Sequence, residues 1–230
     1  MEYILGGMWK ALGLIFSLDK EIFNIALLSL RVSTIATFLS SLVGVPVGFI
    51  IGSSEFWGKK GLTAIFNTLM ALPTVVVGLL LYSLISRQGP LGPLELLFTP
   101  KAMVIGQFIL ATPIIVALTI SATQAIDPRV KITAMTLGAG PLRTAVTVLS
   151  EARFALMAAV VAGFGRVIGE VGCALMVGGN IRGYTRTMTT AIALETAKGE
   201  FAFGLALGFI LLTIAFFVNI LFHWLQSREG

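Results

Sequence analysis

Long runs of apolar residues, broken by short polar stretches, set the pattern of this chain. Five runs stand out, at about 22–52, 62–86, 102–123, 154–177 and 201–225. Each is long enough to cross a hydrocarbon core as a helix, which takes roughly 20 residues. Their apolarity is continuous, without the in/out alternation of a membrane β-barrel, so the pattern predicts an all-α, polytopic membrane protein. Pro46 and Pro73 fall inside the first two runs, and each removes a backbone donor, so both spans are expected to tilt or kink there. Four connections remain: SSEFWGKKG, the Pro/Gly-rich RQGPLGPLELLFTPK, the charged segment 127–153, and GGNIRGYTRTMTTAIALETAKG. An odd number of spans puts the termini on opposite sides. The opening MEYILGGMWK lacks a basic region ahead of a cleavage site and reads as an interfacial lead-in rather than a signal peptide.

The third connection carries a pattern of its own. Asp127 is a good N-cap and Pro128 suits the first helical position, so a helix is expected to start here, with Val130, Ala134 and Leu137 along one face. It is too short to span a bilayer. Gly138 and Gly140 end it, and Pro141 opens a second segment with Leu142, Ala145, Val146 and Leu149 on one side. Two short amphipathic helices around a glycine corner form either a docking surface outside the bilayer or an element lying among the headgroups.

Composition agrees with the pattern. Of 230 residues 57% are hydrophobic and 12% charged, whereas soluble chains carry about 25% charged residues. The net charge of +5 sits in loops without any aromatic and basic module for nucleic acid, so membrane topology accounts for it. Lysine and arginine divide almost evenly between the two sides, so the positive-inside rule does not orient the chain. Cys173 has no partner cysteine and reads as a small packing residue. The one histidine, His223, lies at the end of the last run, and no His-Glu-x-x-His motif accompanies it. No Gly-x-x-x-x-Gly-Lys-Ser/Thr motif occurs either, so neither zinc proteolysis nor ATP hydrolysis by this chain is expected.

The stretch TAMTLGAGPLRTAVTVL, residues 133–149, resembles the cytoplasmic signature loop of permease subunits in binding-protein-dependent ABC importers of type I. That loop begins Glu-Ala-Ala and has a fixed glycine four residues after the second alanine, here Ala134 and Gly138. Ile132 and Thr133 replace the glutamate and first alanine, and Ser150-Glu151 stands where Leu-Pro is usual. The fourth run and its exit, FGRVIGEVGCALMVGGNIRGYTRTMTTAIALE, resembles the oxyanion branch of the family. There a Gly-Glu-Phe-Gly-like motif precedes Gly-Asn-Ile and Thr-Arg-Thr, matched by Gly169 to Gly172, Gly179 to Ile181 and Thr185 to Thr187. The wording of VGGNI and MTTAIALETAKG is most similar to tungstate permeases, with molybdate and sulfate permeases close behind.

The resemblance implies one permease domain over 1–230, with about five spans and a coupling helix in the loop 127–150, in the prokaryotic plasma membrane. It implies no chemistry on this chain and no cofactor bound by it. ATP and Mg belong to two partner ATP-binding subunits, the permease pairs with a second copy as a homodimer, and an extracytoplasmic binding protein delivers the oxyanion. Ala134, Leu137, Gly138 and Ala139 are the implied contacts with the ATPase. With that loop in the cytoplasm, the N-terminus lies outside and the C-terminus inside. Arg166 and Glu170, four residues apart in the fourth run, share a helical face and can pair. A charge at membrane depth costs at least about 2.5–3.5 kcal/mol, so the two form a clasp or Arg166 faces the pathway. Asn180, Thr185, Arg186 and Thr187 are further pathway candidates. Arg182, Arg186, Arg87 and Lys101 either attract a dianion or pair with lipid headgroups and the binding protein. The hydroxyls of Thr189 and Thr190 either donate near a gate or pack between helices. A free-standing channel or secondary transporter is the reading outside this family.

Overall fold

The computed structural model describes residues 2–17 and 19–227, which form eleven α-helices and no β-strand. Gly230, on which the expected cytoplasmic C-terminus rests, lies outside the described residues, as does the His223 side chain. Three helices are long and apolar enough to cross a membrane unaided: α2 (Lys20–Ser53), α5 (Pro100–Gln124) and α11 (Phe201–Ser227). With two bent helix pairs counted as one span each, the number rises to five.

Helix starts follow local chemistry. Asp19 caps α2 by accepting from the amides of Glu21 at 2.8 Å and Ile22 at 3.2 Å, and Thr99 caps α5 by accepting from Ala102 at 3.3 Å, each satisfying donors that the first turn leaves open. Pro46 does not break α2, which runs through it without interruption. Pro73 does more than kink the second run. It separates α3 (Lys59–Leu69) from α4 (Thr74–Ile85), which meet at 94°.

Helices α2 and α5 run parallel, joined by a seam of small residues. Along it Gly44 faces Ile115, Gly48 faces Thr119 and Gly52 faces Thr123, so closely that a Cβ built on each would come within 2.9, 2.6 and 2.7 Å of those side chains. Bare backbone lets apolar helices approach and gain dispersion contacts where lipid supplies no hydrophobic drive. Ser40 adds a hydrogen bond from its Oγ to the Phe108 carbonyl at 3.2 Å. Around this seam Val32, Leu81, Met103, Val167 and Val177 form one buried cluster.

The lead-in and the fourth run differ from expectation. The lead-in forms a helix, α1 (Glu2–Phe16), and its Ala11 is buried in a second cluster with Ile22, Ile25, Ala206 and Leu207. The fourth run is not one span but α8 (Arg153–Ile168) and α9 (Gly172–Gly178), interrupted at 169–171. The stretch 178–199, expected as an external connection, is divided: 181–184 and 196–199 are exposed, but Thr185, Met188, Thr190 and Ala191 are fully buried, so that the start of α10 (Met188–Lys198) lies within the bundle. Phe23, Phe38 and Leu42 of α2 and Leu212, Phe216 and Phe217 of α11 remain exposed, a surface suited to lipid.

Candidate functional site

The segment after α5 folds as a helical hairpin, α6 (Pro128–Thr136) and α7 (Pro141–Glu151). The Asp127 carboxylate accepts from the Arg129 amide at 2.8 Å, fixing the start of α6. At the corner the Ala139 amide donates to the Ala134 carbonyl at 3.0 Å and Gly138 takes φ +83°, a left-handed closure of the helix end. A Cβ on Gly138 would meet nothing within 4 Å. Backbone angle, not crowding, therefore calls for glycine, whereas Gly140 has an ordinary φ of −68°.

The face expected of α6 is split, whereas in α7 the expected apolar side is the less buried one. Ala134 is buried, but Leu137 lies one residue past the helix end and is 82% exposed. In α7 the buried residues are Thr144 and Val148, while Leu142 is 79% exposed and Val146 is exposed with it. The projecting apolar surface is thus Ile132, Met135, Leu137, Leu142 and Val146. Ile132 and Met135 lie off the i, i+4, i+7 face of Val130, Ala134 and Leu137, so that spacing does not mark them. Beneath the hairpin lies a cavity of about 650 Å3 whose walls include Gly52, Lys59, Asp127, Lys131 and Ala145.

The break between α8 and α9 is organised by Glu170. Its Oε2 accepts from Arg166 Nη1 at 3.0 Å, its Oε1 accepts from the Cys173 amide at 2.9 Å, and its carbonyl accepts from Thr189 Oγ1 at 2.6 Å. The Glu170 side chain is 2% exposed and that of Arg166 is 36% exposed. One carboxylate therefore neutralises an intramembrane arginine and satisfies the start of a new helix, the kind of fixed partner that buried charge requires. Cys173 packs at the same place, against Gly78 and Gly106.

Asn180, Thr185 and Thr187 gather on the return path into α10. Asn180 has φ +50° and donates from Nδ2 to the Thr190 carbonyl at 3.3 Å. The Thr185 hydroxyl donates to the Gly178 carbonyl and accepts from the Ile181 amide at 3.0 Å. Thr187 and Thr190 form a capping box at the start of α10, and the Met188 amide donates to Ser29 Oγ at 2.8 Å. The threonine hydroxyls here are engaged with backbone and with each other, which makes them a scaffold that holds a re-entrant path inside the bundle. Ser29, the tie to α2, carried no signal in sequence beyond being a small polar residue in a span.

Arg186 lies apart from Arg166, and no ion pair or hydrogen bond joins the two among the described residues. Instead Arg186 and Arg182 reach Glu21 in the first turn of α2, at the end of the bundle away from the hairpin. The Glu21 carboxylate, hydrogen-bonded to Arg182, holds that guanidinium above its ordinary pKa. Among the described residues, Arg87 and Lys101 join no ion pair there.

A bundle of broken and continuous membrane helices with an exposed apolar hairpin between two of them defines a transport permease. The chain belongs to the family described as binding-protein-dependent transport system inner membrane component, which matches residues 44–229. Over 226 residues it is 44% identical to the tungstate uptake system permease protein TupB of Campylobacter jejuni, covering 98% of this chain and 95% of that one. It is 39% identical over 228 residues to the protein of the same name from Peptoclostridium acidaminophilum, covering 99% and 100%. In fold it is similar to a chain of the inward-facing MetNI methionine ABC transporter, with a TM-score of 0.70, 13% identity, and coverage of 95% of this chain and 98% of that one.

Proposed function

We propose that this chain is the membrane subunit of an ATP-driven tungstate importer, working as a homodimer with two ATP-binding subunits and an extracytoplasmic oxyanion-binding protein. The observation that carries the reading is the likeness to tungstate uptake permeases over nearly the whole chain. The hairpin supports its mechanical half. Ile132, Met135, Leu137, Leu142 and Val146, each more than half exposed, offer an apolar docking face, and Ala134, Gly138 and Ala139 fix its shape. The hairpin lies in the cytoplasm, with the N-terminus outside and the C-terminus inside. Closure of the ATP-binding subunits around nucleotide and Mg then pulls on α5 and α8, which flank the hairpin, and shifts the bundle between its two open sides. This chain binds no cofactor and makes no bond; it supplies a route and converts movement into access.

Uptake by the reconstituted complex tests the cargo. Tungstate should saturate transport at lower concentration than molybdate or sulfate, both with the partner binding protein present. A complex that prefers sulfate, or that moves none of the three, overturns the assignment. Co-purification of an ATP-binding subunit, lost when the segment 127–149 is altered, tests the docking role.

A further inference from the structure

At the end of the bundle remote from the hairpin, five charged side chains share one network. Glu21 of α2 accepts from Arg182 Nε at 2.6 Å and pairs with Arg182 through its second oxygen as well. Arg186 Nη1 stands 3.7 Å from Glu21 and 3.4 Å from Glu195 of α10, and Lys198 Nζ takes the same Glu195 oxygen at 3.1 Å. Three cations thus share two carboxylates. Arg186 is the poorly served member. Its side chain is only 11% exposed, both of its ion-pair distances exceed the 2.7–2.9 Å of a good charge-assisted bond, and its Nε is buried without a hydrogen-bond partner among the described residues. Beside it is a cavity of about 320 Å3 lined by Glu21, Asn24, Leu28, Arg182, Tyr184 and Arg186. At about 30 Å3 for each water, that is room for a tetrahedral oxyanion with part of its hydration shell.

We propose that Arg186 and Arg182 form an oxyanion-receiving site in which the Glu21 carboxylate holds the anion's place until a tetrahedral dianion displaces it. The inference rests on the importer reading above. A planar carboxylate satisfies Arg182 in bidentate fashion and leaves Arg186 stretched. A tetrahedral dianion has four oxygens and twice the charge, and can serve the Arg186 guanidinium with one oxygen while presenting a pair to Arg182. Its arrival frees Glu21, and with it the tie between α2 and residues 182–186. Occupancy of the site is thereby reported to the helix that packs along α5.

The test is tungstate binding to the permease in complex with its ATP-binding subunits, in lipid nanodiscs without binding protein, followed by calorimetry with sodium tungstate. Glu21→Gln removes the competing charge and should tighten binding at least tenfold. Arg186→Gln should abolish it. Arg182→Gln, a change at an exposed side chain, should weaken binding without lowering the melting temperature, which keeps the proposal testable if the Arg186 variant does not assemble. Unchanged or weaker binding by an intact Glu21→Gln complex overturns the proposal, as does an absence of binding in both wild type and Glu21→Gln. A simple clasp predicts a lower melting temperature for Glu21→Gln with unaltered affinity. If the wild-type complex with its binding protein transports no oxyanion, the importer reading itself has failed. Transport with no tightening by Glu21→Gln refutes only the receiving site.

Discussion

Replacing Arg166 with methionine removes a guanidinium that sits 3.0 Å from a nearly inaccessible carboxylate. Glu170 would keep one hydrogen bond, from the Cys173 amide at 2.9 Å, and no opposite charge. Breaking one side of a buried pair costs about 3–5 kcal/mol; because water reaches a third of the Arg166 side chain, the lower end, about 3 kcal/mol, applies. Glu170→Gln is milder, about 1 kcal/mol, since its carbonyl still accepts from Cys173 and the arginine can hydrate. With both changes made, no charge is stranded, and the double variant should also lose only about 1 kcal/mol. It should therefore be more stable than Arg166→Met alone by about 2 kcal/mol, roughly thirtyfold in the unfolding equilibrium. Denaturation by SDS titration in mixed micelles measures all four corners of the cycle. A double variant no more stable than Arg166→Met refutes the clasp. If the cycle holds but uptake is lost equally in Arg166→Met and in the double variant, Arg166 has a second role facing the substrate.

Three further outcomes follow from the geometry. Gly138→Val should cost about 1–2 kcal/mol through its positive φ rather than through collision, and weaken coupling of ATP hydrolysis to uptake; Gly138→Asn, which tolerates that angle, should be milder, and equal effects would contradict the backbone argument. Gly48→Leu must push Thr119 and the Val116 carbonyl aside, both under 3 Å from its new Cβ, so melting should show a loss of about 1–3 kcal/mol or more, and an unshifted melting temperature would count against the seam. Leu137→Asp and Leu142→Asp alter side chains that the chain leaves exposed, so the permease should melt as before while retention of the ATP-binding subunit on purification falls at least tenfold.

The hairpin was readable because its signals are local: Asp127-Pro128 to begin a helix, Gly138 to end it, Pro141 to begin another. The 3.6-residue period extends the helix to Leu137, whereas α6 stops at Thr136. The interruption at 169–171 was hidden for a different reason. Its apolar flanks look continuous, and the groups that make a break tolerable there, the Thr189 hydroxyl and the Arg166 guanidinium, meet Glu170 only after folding. Of the two readings of the hydroxyls at 189 and 190, packing between helices is the one the contacts favour, since they bond to backbone and to Thr187 inside the bundle. The four-residue spacing of Arg166 and Glu170 suggests their pairing, although Glu170 lies beyond the end of α8 at Ile168; the pairing of Arg182 with Glu21 spans 161 positions of chain and left no trace in pattern.

The parallel glycine seam has a mechanical consequence. At 1.5 Å per residue, the 34 residues of α2 make a rod of about 51 Å, clamped along α5, whose lower end leads directly into the hairpin. Two helices this closely meshed are expected to move as one body, with the hairpin at one end and Glu21 at the other. A tilt of about 10° about the Ser53 end would sweep Glu21 through about 9 Å by that length, more than enough to part it from both arginines. Distance along this molecule multiplies a small push.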